Sequence, residues 1–281
     1  MKQIIVAIDF SKCSVHALEY AITIANTLDA NIIMTWVDIN DGADRAFQEI
    51  ENHPRKEIVN NFEELVQKYD KKLKGELTYK IRKGKVYFEI ANQAKYSDAT
   101  LVIAGTHGVS GFEEFWIGSN AYRIVSHAPC PVITVRADYE STRSIKTIVL
   151  PIDSTLESRQ KLPFTSKIAK LFDSKIHVIS LYSTNIKAIR NRIDNYTNQV
   201  VKFLKEENVD HMVKKVEAEN ITNSTINYAK SVDADLISIM TEQETSASNL
   251  FLGAYAQQMV NHSPIPVLSI HTREFIHIQS R

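Results

Sequence analysis

The stretch GTHGVSGFEEFWIGSN, residues 105–120, contains four of the eight glycines in the chain. Ordering glycine costs conformational entropy, so such a cluster indicates positive φ or a close approach of the backbone to another group. Gly105, Gly108, Gly118 and Ser119 are spaced as Gly-x2-Gly-x9-Gly-Ser. Bare N–H groups, a helix amino terminus and a hydroxyl in this arrangement could hold a phosphate group. The spacing alone leaves a second interpretation equally open, a loop that only turns the chain.

The elements that position this loop occur twice. KQIIVAIDFS near the start recurs as KTIVLPIDST, and IVSHAPCPVITV recurs as MVNHSPIPVLSI. From residue 98 onward the copies align at a constant offset of 135 residues. A chain of 281 residues is long enough for two domains of ordinary size. The repeat predicts domains at 1–139 and 144–281, joined by a polar linker.

Within each copy, short β-branched runs alternate with segments of helical period. This pattern predicts an α/β domain with an open five-stranded parallel sheet and helices on both faces. In the first copy we expect strands at 3–9, 31–38, 77–82, 100–105 and 131–136, and helices at 13–28, 56–73, 86–96 and 118–127. In the second copy, STLE at 154–157 predicts a capping box that opens the matching helix. Residues 43–54 are expected to form an irregular excursion on the surface.

The glycine loop follows the fourth predicted strand, at the sheet edge where open α/β folds bind ligands. Its spacing resembles the nucleotide-binding signature of the ATP-binding branch of the universal stress protein family. Asp9 after the first strand, DATLVIAGTHG around the fourth and HAPCPVITV before the fifth resemble the same family. Such matches run through both copies, so the chain resembles a tandem universal stress protein. The resemblance implies a Rossmann-like, adenine nucleotide alpha hydrolase-like fold, with the two fifth strands paired across a pseudo-twofold axis. One chain would form a pseudo-dimer, and further pairing into a homo-oligomer is expected.

The resemblance also implies an ATP site in the first domain. The phosphates and the ribose would be wrapped by Gly105, His107 and Gly108. The terminal phosphates would be held by Gly118, Ser119 and Asn120. ADP and AMP stay open as alternatives to ATP.

At the nucleoside end, the resemblance implies that Asp9 and the backbone of Ala7 and Ile8 line the nucleotide. Asp9 is also a candidate contact for a magnesium ion. Val37 would meet the adenine through its backbone.

The second copy has lost most of the residues that would contact phosphate. The positions of Gly105, Gly108, Gly118 and Ser119 are taken there by Met240, Gln243, Gly253 and Ala254. Side chains at Met240 and Gln243 disfavour positive φ, and Ala254 has no hydroxyl. Glu242 and Glu244 add negative charge where a triphosphate would lie. The contrast between the copies favours the ligand interpretation of the first loop and predicts one nucleotide per chain.

These observations predict a nucleotide-responsive stress or signalling module. A slow ATPase that uses the same site and a partner-binding scaffold without ligand are the alternatives. A dedicated catalyst is not expected, because the sequence shows no activated nucleophile and no matched acid–base pair. Nine histidines occur without HxxxH or CxxC spacing, so no transition-metal site is predicted.

Composition limits the partners further. Lys plus Arg and Asp plus Glu number 33 each, which leaves no overall field to attract nucleic acid. No apolar run approaches the ~20 residues that span a bilayer, so no membrane contact is expected. The two cysteines, Cys13 and Cys130, give no disulfide framework and indicate a reducing, cytoplasmic setting. A protein partner is expected but not identified.

Overall fold

The computed structural model describes residues 2–39, 53–106, 119–241, 243–246 and 249–271. Most of the predicted excursion at 43–54 lies outside these ranges, and so do the loop residues His107, Gly108 and Gly118.

The first half of the chain contains five strands and four helices. The strands are β1 (Lys2–Ala7), β2 (Ala30–Asp38), β3 (Leu77–Lys83), β4 (Leu101–Gly105) and β5 (Val132–Val135). The helices are α1 (Lys12–Leu28), α2 (His53–Tyr69), α3 (Val86–Tyr96) and α4 (Ser119–His127). These bounds confirm the strands and helices predicted for the first copy.

The second half repeats this order and adds a hairpin. Its strands are β6 (Thr147–Ile152), β7 (Lys175–Tyr182), β8 (His211–Glu217), β9 (Leu236–Thr241), β10 (Gln243–Ser246), β11 (Asn249–Leu252) and β12 (Val267–His271). Its helices are α5 (Leu162–Phe172), α6 (Lys187–Glu206), α7 (Ile221–Ser231) and α8 (Ala254–His262). Strands β10 and β11 form a separate antiparallel pair, which the sequence patterns did not predict.

Ten strands form one sheet in the order β3-β2-β1-β4-β5-β12-β9-β6-β7-β8. Each set of five is parallel internally, and only β5 and β12 pair antiparallel. Helices α1, α2, α5 and α6 pack on one face, and α3, α4, α7 and α8 pack on the other. The buried apolar strands predicted from the sequence are therefore covered on both sides. No helix in the described part of the chain is long and apolar enough to cross a bilayer.

The two five-stranded halves meet symmetrically at β5 and β12. Ile133 lies opposite Leu268, and this pair is flanked by Thr134 opposite Val267 and by Val132 opposite Ser269. Val132 is equivalent to Val267, and Thr134 is equivalent to Ser269. The two flanking pairs are therefore related by a pseudo-twofold axis through the central pair. The predicted pseudo-twofold pairing of the fifth strands is confirmed.

The linker between the halves is anchored on both of them. On the first half, Thr23 Oγ1 donates to the carbonyl oxygen of Ser141 at 2.9 Å. On the second half, the Arg143 guanidinium donates to Asp233 at 2.7 and 2.9 Å and pairs with Asp235. Asp235 is 2% exposed, so its pairing with Arg143 joins the linker to the buried start of β9.

The predicted capping box at 154–157 is wrong. A short 3-10 helix occupies Leu156–Arg159, and α5 begins only at Leu162. The Thr155 hydroxyl does not accept from the helix backbone but donates to Asp153 Oδ1 at 2.6 Å. Pro163 lies in the first turn of α5, a position that its fixed φ and missing N–H suit.

Candidate functional site

The carboxyl ends of β1, β2 and β4 form the edge of the sheet at which the sequence predicts a ligand site. Strand β1 is the middle one, with β2 on one side and β4 on the other, and all three are parallel. Their carboxyl ends therefore meet at one edge of the sheet. Five predicted ATP-binding residues come together there: Ala7, Ile8, Asp9, Val37 and Gly105.

Asp9 lies two residues after β1, and one of its carboxylate oxygens is hydrogen-bonded to the chain. Its Oδ1 accepts from the backbone N–H of Ser11 at 3.0 Å. Ser11 in turn caps α1, since its side-chain oxygen accepts from the N–H of Ser14 at 3.2 Å. From the described residues, Oδ2 of Asp9 accepts no hydrogen bond. The half-buried carboxylate is thus held in place by one oxygen and offers the other to a ligand.

Val37 presents its backbone toward the same edge. The carbonyl oxygen of Thr35 accepts from the N–H of Ile8 at 2.9 Å. Residues two apart in a strand turn their N–H and C=O groups to the same side, so Val37 also faces the β1 side, beyond Ile8. Its side chain is buried in the core. This arrangement suits a contact through the backbone.

Close packing against Cys13 explains why residue 105 is a glycine. A Cβ atom at this residue would lie 2.8 Å from Cys13 Sγ and 2.9 Å from the Cys13 carbonyl oxygen. Both distances are shorter than packed Cβ atoms tolerate. The first turn of α1 therefore requires glycine at the end of β4, with or without a ligand.

Helix α4 begins at Ser119, and Asn120 in its first turn is exposed. The amino terminus of this helix carries backbone N–H groups without intrahelical partners. His107, Gly108 and Gly118 would complete the loop before it, and their contribution stays a prediction. The chemistry available here is that of an anion site at a helix amino terminus.

In the second copy the equivalent carboxylate is bound by the protein itself. Oδ1 of Asp153 accepts from both the N–H and the hydroxyl of Thr155, at 2.8 and 2.6 Å. Lys161 stands where the first copy has Ala17, is 2% exposed and donates from Nζ to the Ser158 carbonyl oxygen. Burial lowers the pKa of Lys161 to about 8, although the charge of Asp153 acts in the opposite direction. The buried ammonium group of Lys161 thus interacts electrostatically with Asp153.

Tyr255 and Met240 fill more of the second edge. Tyr255 replaces Asn120 in the first helical turn, and its hydroxyl lies 3.4 Å from Thr225 Oγ1. Burial raises the pKa of Tyr255, the Thr225 hydrogen bond lowers it, and the charge of Asp153 raises it. Met240, which replaces Gly105, is 6% exposed. Side chains of the second copy therefore cover the edge that corresponds to the Asp9 edge of the first copy.

Lys161 was missed by the sequence predictions. The only signal was a lysine at a position where the other copy has a small residue on a buried helix face. Within the described ranges, no group of three or more His, Cys, Asp or Glu side chains is arranged to hold a metal ion. A polar cavity of about 560 Å³ lies in the second domain, at the carboxyl ends of β7 and β8.

Two repeated, doubly wound α/β domains that share one sheet through their fifth strands define a tandem protein of Rossmann-like class. The sequence profile of the Universal stress protein family matches residues 1–136 and 144–271. The chain belongs to the universal stress protein family.

Individual relatives match one domain at a time. A universal stress protein of Methanocaldococcus jannaschii is 27% identical over 143 residues, covering 48% of this chain and 82% of the relative. The universal stress protein YxiE of Bacillus subtilis is 29% identical over 147 residues, covering 48% and 98%.

Solved structures match the whole chain. A universal stress protein of Archaeoglobus fulgidus superposes with a TM-score of 0.73 at 17% identity, covering 96% of this chain and 98% of its own. A functionally unknown protein of Pseudomonas aeruginosa PAO1 gives 0.68 at 15% identity, covering 99% and 95%. These matches show the tandem fold.

Proposed function

We propose that the first domain binds an adenine nucleotide, ATP in the first place, at the carboxyl edge of β1, β2 and β4. The observation that carries this proposal is the state of the two equivalent aspartates. Oδ1 of Asp9 accepts one hydrogen bond, from a backbone N–H, whereas Oδ1 of Asp153 accepts two from Thr155, and Asp153 also interacts electrostatically with the buried ammonium group of Lys161.

The phosphates would lie against the first turn of α4. Ser119 and Asn120 begin this helix, and the glycine loop that precedes it would supply further N–H donors from Gly108 and Gly118 together with His107. A helix amino terminus favours anions by about 0.3–1 kcal/mol for each interacting charge at an exposed site. The free oxygen of Asp9 would help to hold a magnesium ion, which is bound in proteins through one or two carboxylates plus substrate phosphates.

The nucleoside would lie beside Asp9, between Val37 and the end of β4. The backbone of Ala7 and Ile8 would line it from below, and Val37 would meet the adenine through its backbone groups. Gly105 would contribute here by keeping the backbone of β4 without a side chain. Such contacts recognise the adenosine part and leave ATP, ADP and AMP to be separated by the phosphate end.

One nucleotide would bind per chain. In the second domain a triphosphate would have to displace the phenol of Tyr255 and the buried side chain of Met240. Breaking the contacts of Lys161 and Asp153 would add to this, because partly satisfied buried charges are costly. The second domain would thus keep the fold without the ligand.

On this proposal the protein is a cytoplasmic, nucleotide-responsive module, and its output depends on whether the first domain is occupied. Slow hydrolysis of ATP in the same site and a scaffold role without ligand are the two competing functions. They differ from the proposal in turnover and in affinity, respectively.

The test is calorimetric titration of magnesium and ATP into the full chain and into two matched variants. Asp9→Ala removes the carboxylate of the first domain, and Asp153→Ala removes its counterpart in the second. We expect about one nucleotide per wild-type chain. Affinity should fall at least ~10-fold in Asp9→Ala, since hydrogen bonds to charged groups contribute about 1.5–3 kcal/mol. Asp153→Ala should bind as the wild type does.

Two nucleotides per chain, or an affinity that falls equally in both variants, would contradict the assignment to the first domain. No heat of binding in the wild type would leave the scaffold as the function. Release of phosphate from bound ATP at a rate that Asp9→Ala abolishes would identify the slow ATPase.

A further inference from the structure

Helix α4, which would hold the terminal phosphates of the nucleotide, is contacted by residues of the second domain. His271 lies at the end of β12, is 2% exposed, and its Nε2 contacts the carbonyl oxygen of Val125 in α4. Val125 is among the last four helical residues, whose carbonyl oxygens lack intrahelical partners. A buried side chain of the second domain thus provides a hydrogen-bond partner for a carbonyl oxygen in the last turn of α4.

The orientation of His271 is fixed by a second contact. Its Nδ1 is hydrogen-bonded to the hydroxyl of Thr241, the last residue of β9 and its neighbour in the parallel ladder. Because the carbonyl of Val125 can only accept, Nε2 carries the proton, and the Thr241 hydroxyl that contacts Nδ1 also donates to the carbonyl oxygen of Ile270 at 3.2 Å. The imidazole therefore connects the end of β9 rigidly to α4.

The hairpin that follows β9 also lies next to α4. Strands β10 and β11 occupy the stretch in which the first copy has its glycine loop, and β11 lies beside α4. The stretch that lost its phosphate chemistry in the second domain has thus become a hairpin on the helix that keeps this chemistry in the first.

The first copy has a different side chain at the position of His271. Thr106 corresponds to Thr241, but Arg136 stands in place of His271. Arg136 forms an ion pair with Asp138 at 3.5 Å, within the linker. The histidine contact to α4 therefore has no histidine counterpart in the first copy.

We propose that His271 is a positioning residue for the nucleotide site of the first domain and that it couples this site to the β10–β11 hairpin. The inference rests on the proposed function. The hairpin and His271 hold α4 in the position in which its first turn meets the phosphates. By reciprocity of binding linkage, a nucleotide that is favoured by the hairpin contact must stabilise that contact by the same factor.

The test combines titration of Mg·ATP with hydrogen exchange of the backbone amides of residues 243–252. His271→Phe keeps a ring of similar size and removes both hydrogen bonds. Thr241→Val leaves the histidine and removes the hydroxyl that orients it, together with the hydrogen bond of this hydroxyl to the Ile270 carbonyl. Arg136→Gln is the control at the pseudo-symmetric position.

In the wild type we expect Mg·ATP to slow exchange of the hairpin amides about five- to tenfold, at the lower end of typical coupling factors. His271→Phe should bind Mg·ATP weaker by the same factor and lose this protection, and Thr241→Val should show a smaller effect of both kinds. Arg136→Gln should behave as the wild type. A role of His271 in folding alone would change stability and leave the response of the hairpin to ATP intact.

The proposal is overturned if the wild type binds Mg·ATP and its hairpin does not respond, or if His271→Phe, folded by circular dichroism, binds with unchanged affinity. Should the wild type not bind Mg·ATP, the proposed function itself fails and the coupling fails with it. The wild-type titration separates these two results.

Discussion

Gly105 at the end of β4 and Cys13 in the first turn of α1 approach so closely that a Cβ on residue 105 would lie 2.8 Å from the cysteine sulfur. In the second copy the same strand position holds Met240, and there the helix begins only at Leu162, after a 3-10 turn. The residue at the strand end and the start of the neighbouring helix have therefore changed together. In the first copy an α-helical turn lies against the strand at this point, and in the second copy a 3-10 turn takes its place.

Gly105→Ala should destabilise the first domain. The new methyl group would overlap the sulfur and the carbonyl oxygen of Cys13, and inserting a methyl into a packed contact costs about 1–3 kcal/mol. Urea denaturation followed by far-ultraviolet circular dichroism measures the change in the free energy of unfolding.

Adding Cys13→Ala to Gly105→Ala identifies the clashing group. The second substitution removes the sulfur but leaves the carbonyl oxygen 2.9 Å from the new Cβ. We therefore expect only partial recovery of stability in the double variant. Full recovery would mean that the sulfur alone demands glycine, and unchanged stability of Gly105→Ala would refute the close packing.

Lys161→Met should stabilise the protein at neutral pH and lose this advantage in alkali. The pKa of Lys161 falls from an ordinary 10.5 to about 8, mainly through burial. Between these values the unfolded chain binds more protons than the folded one, so the free energy of unfolding rises with pH. The gap between them corresponds to a destabilisation of about 3 kcal/mol at pH 7 that disappears above pH 10.5.

The measurement is urea denaturation at intervals from pH 7 to pH 10.5, with Lys167→Met as the control. Lys167 is exposed on the same helix, α5, so its removal should leave the pH profile unchanged. The rise in stability across this range should be present in the wild type and in Lys167→Met, and flatter in Lys161→Met. A parallel profile for Lys161→Met would show that the ammonium group is not buried.

The repeated strand and helix patterns predicted the architecture because each strand is buried on both faces and reads as an apolar run. Strand order across the pseudo-twofold axis came from the family resemblance, since local patterns do not encode which edges pair. The STLE prediction failed because this stretch leads into a short 3-10 helix at Leu156–Arg159, and α5 begins only at Leu162. The role of His271 depends on a carbonyl 146 residues away in sequence. The predicted contact of Gly105 with a ligand stays a prediction, and the packing of α1 requires glycine at this position in either case.

Arg143→Met should weaken the junction between the two domains. It leaves Oδ1 of Asp235 without its partner in the described part of the chain, while Oδ2 keeps the N–H groups of Lys146 and Thr147 at 2.7 and 2.8 Å. An unpaired oxygen on a 2% exposed carboxylate costs about 1–3 kcal/mol or more.

Asp233→Asn is the matched control for this junction, because asparagine tolerates the left-handed backbone of this residue (φ 50°). Asp233 binds the same guanidinium but its side chain is 84% exposed, so water replaces the lost contact and stability should change little. Urea denaturation of both variants gives the comparison. Equal losses in the two would mean that the exposed pair, rather than the buried one, anchors the linker.

Removing either hydroxyl at the β5–β12 seam should not destabilise the protein. Thr134 and Ser269 occupy equivalent positions and are 2% and 0% exposed, and neither side-chain oxygen has a hydrogen-bond partner among the described residues. A buried hydroxyl without a partner costs about 1–3 kcal/mol, so Thr134→Val and Ser269→Ala should be neutral or stabilising.

Thr165→Val is the control, because this fully buried hydroxyl contacts Ser238 Oγ at 2.7 Å and donates to the Lys161 carbonyl at 2.8 Å. Its loss should lower the free energy of unfolding by about 1–3 kcal/mol, since it leaves the hydroxyl of Ser238 unpaired. If Thr134→Val were as harmful as Thr165→Val, the seam hydroxyl would have a partner such as a buried water molecule, and the pairing of β5 with β12 would be less dry than its apolar neighbours indicate.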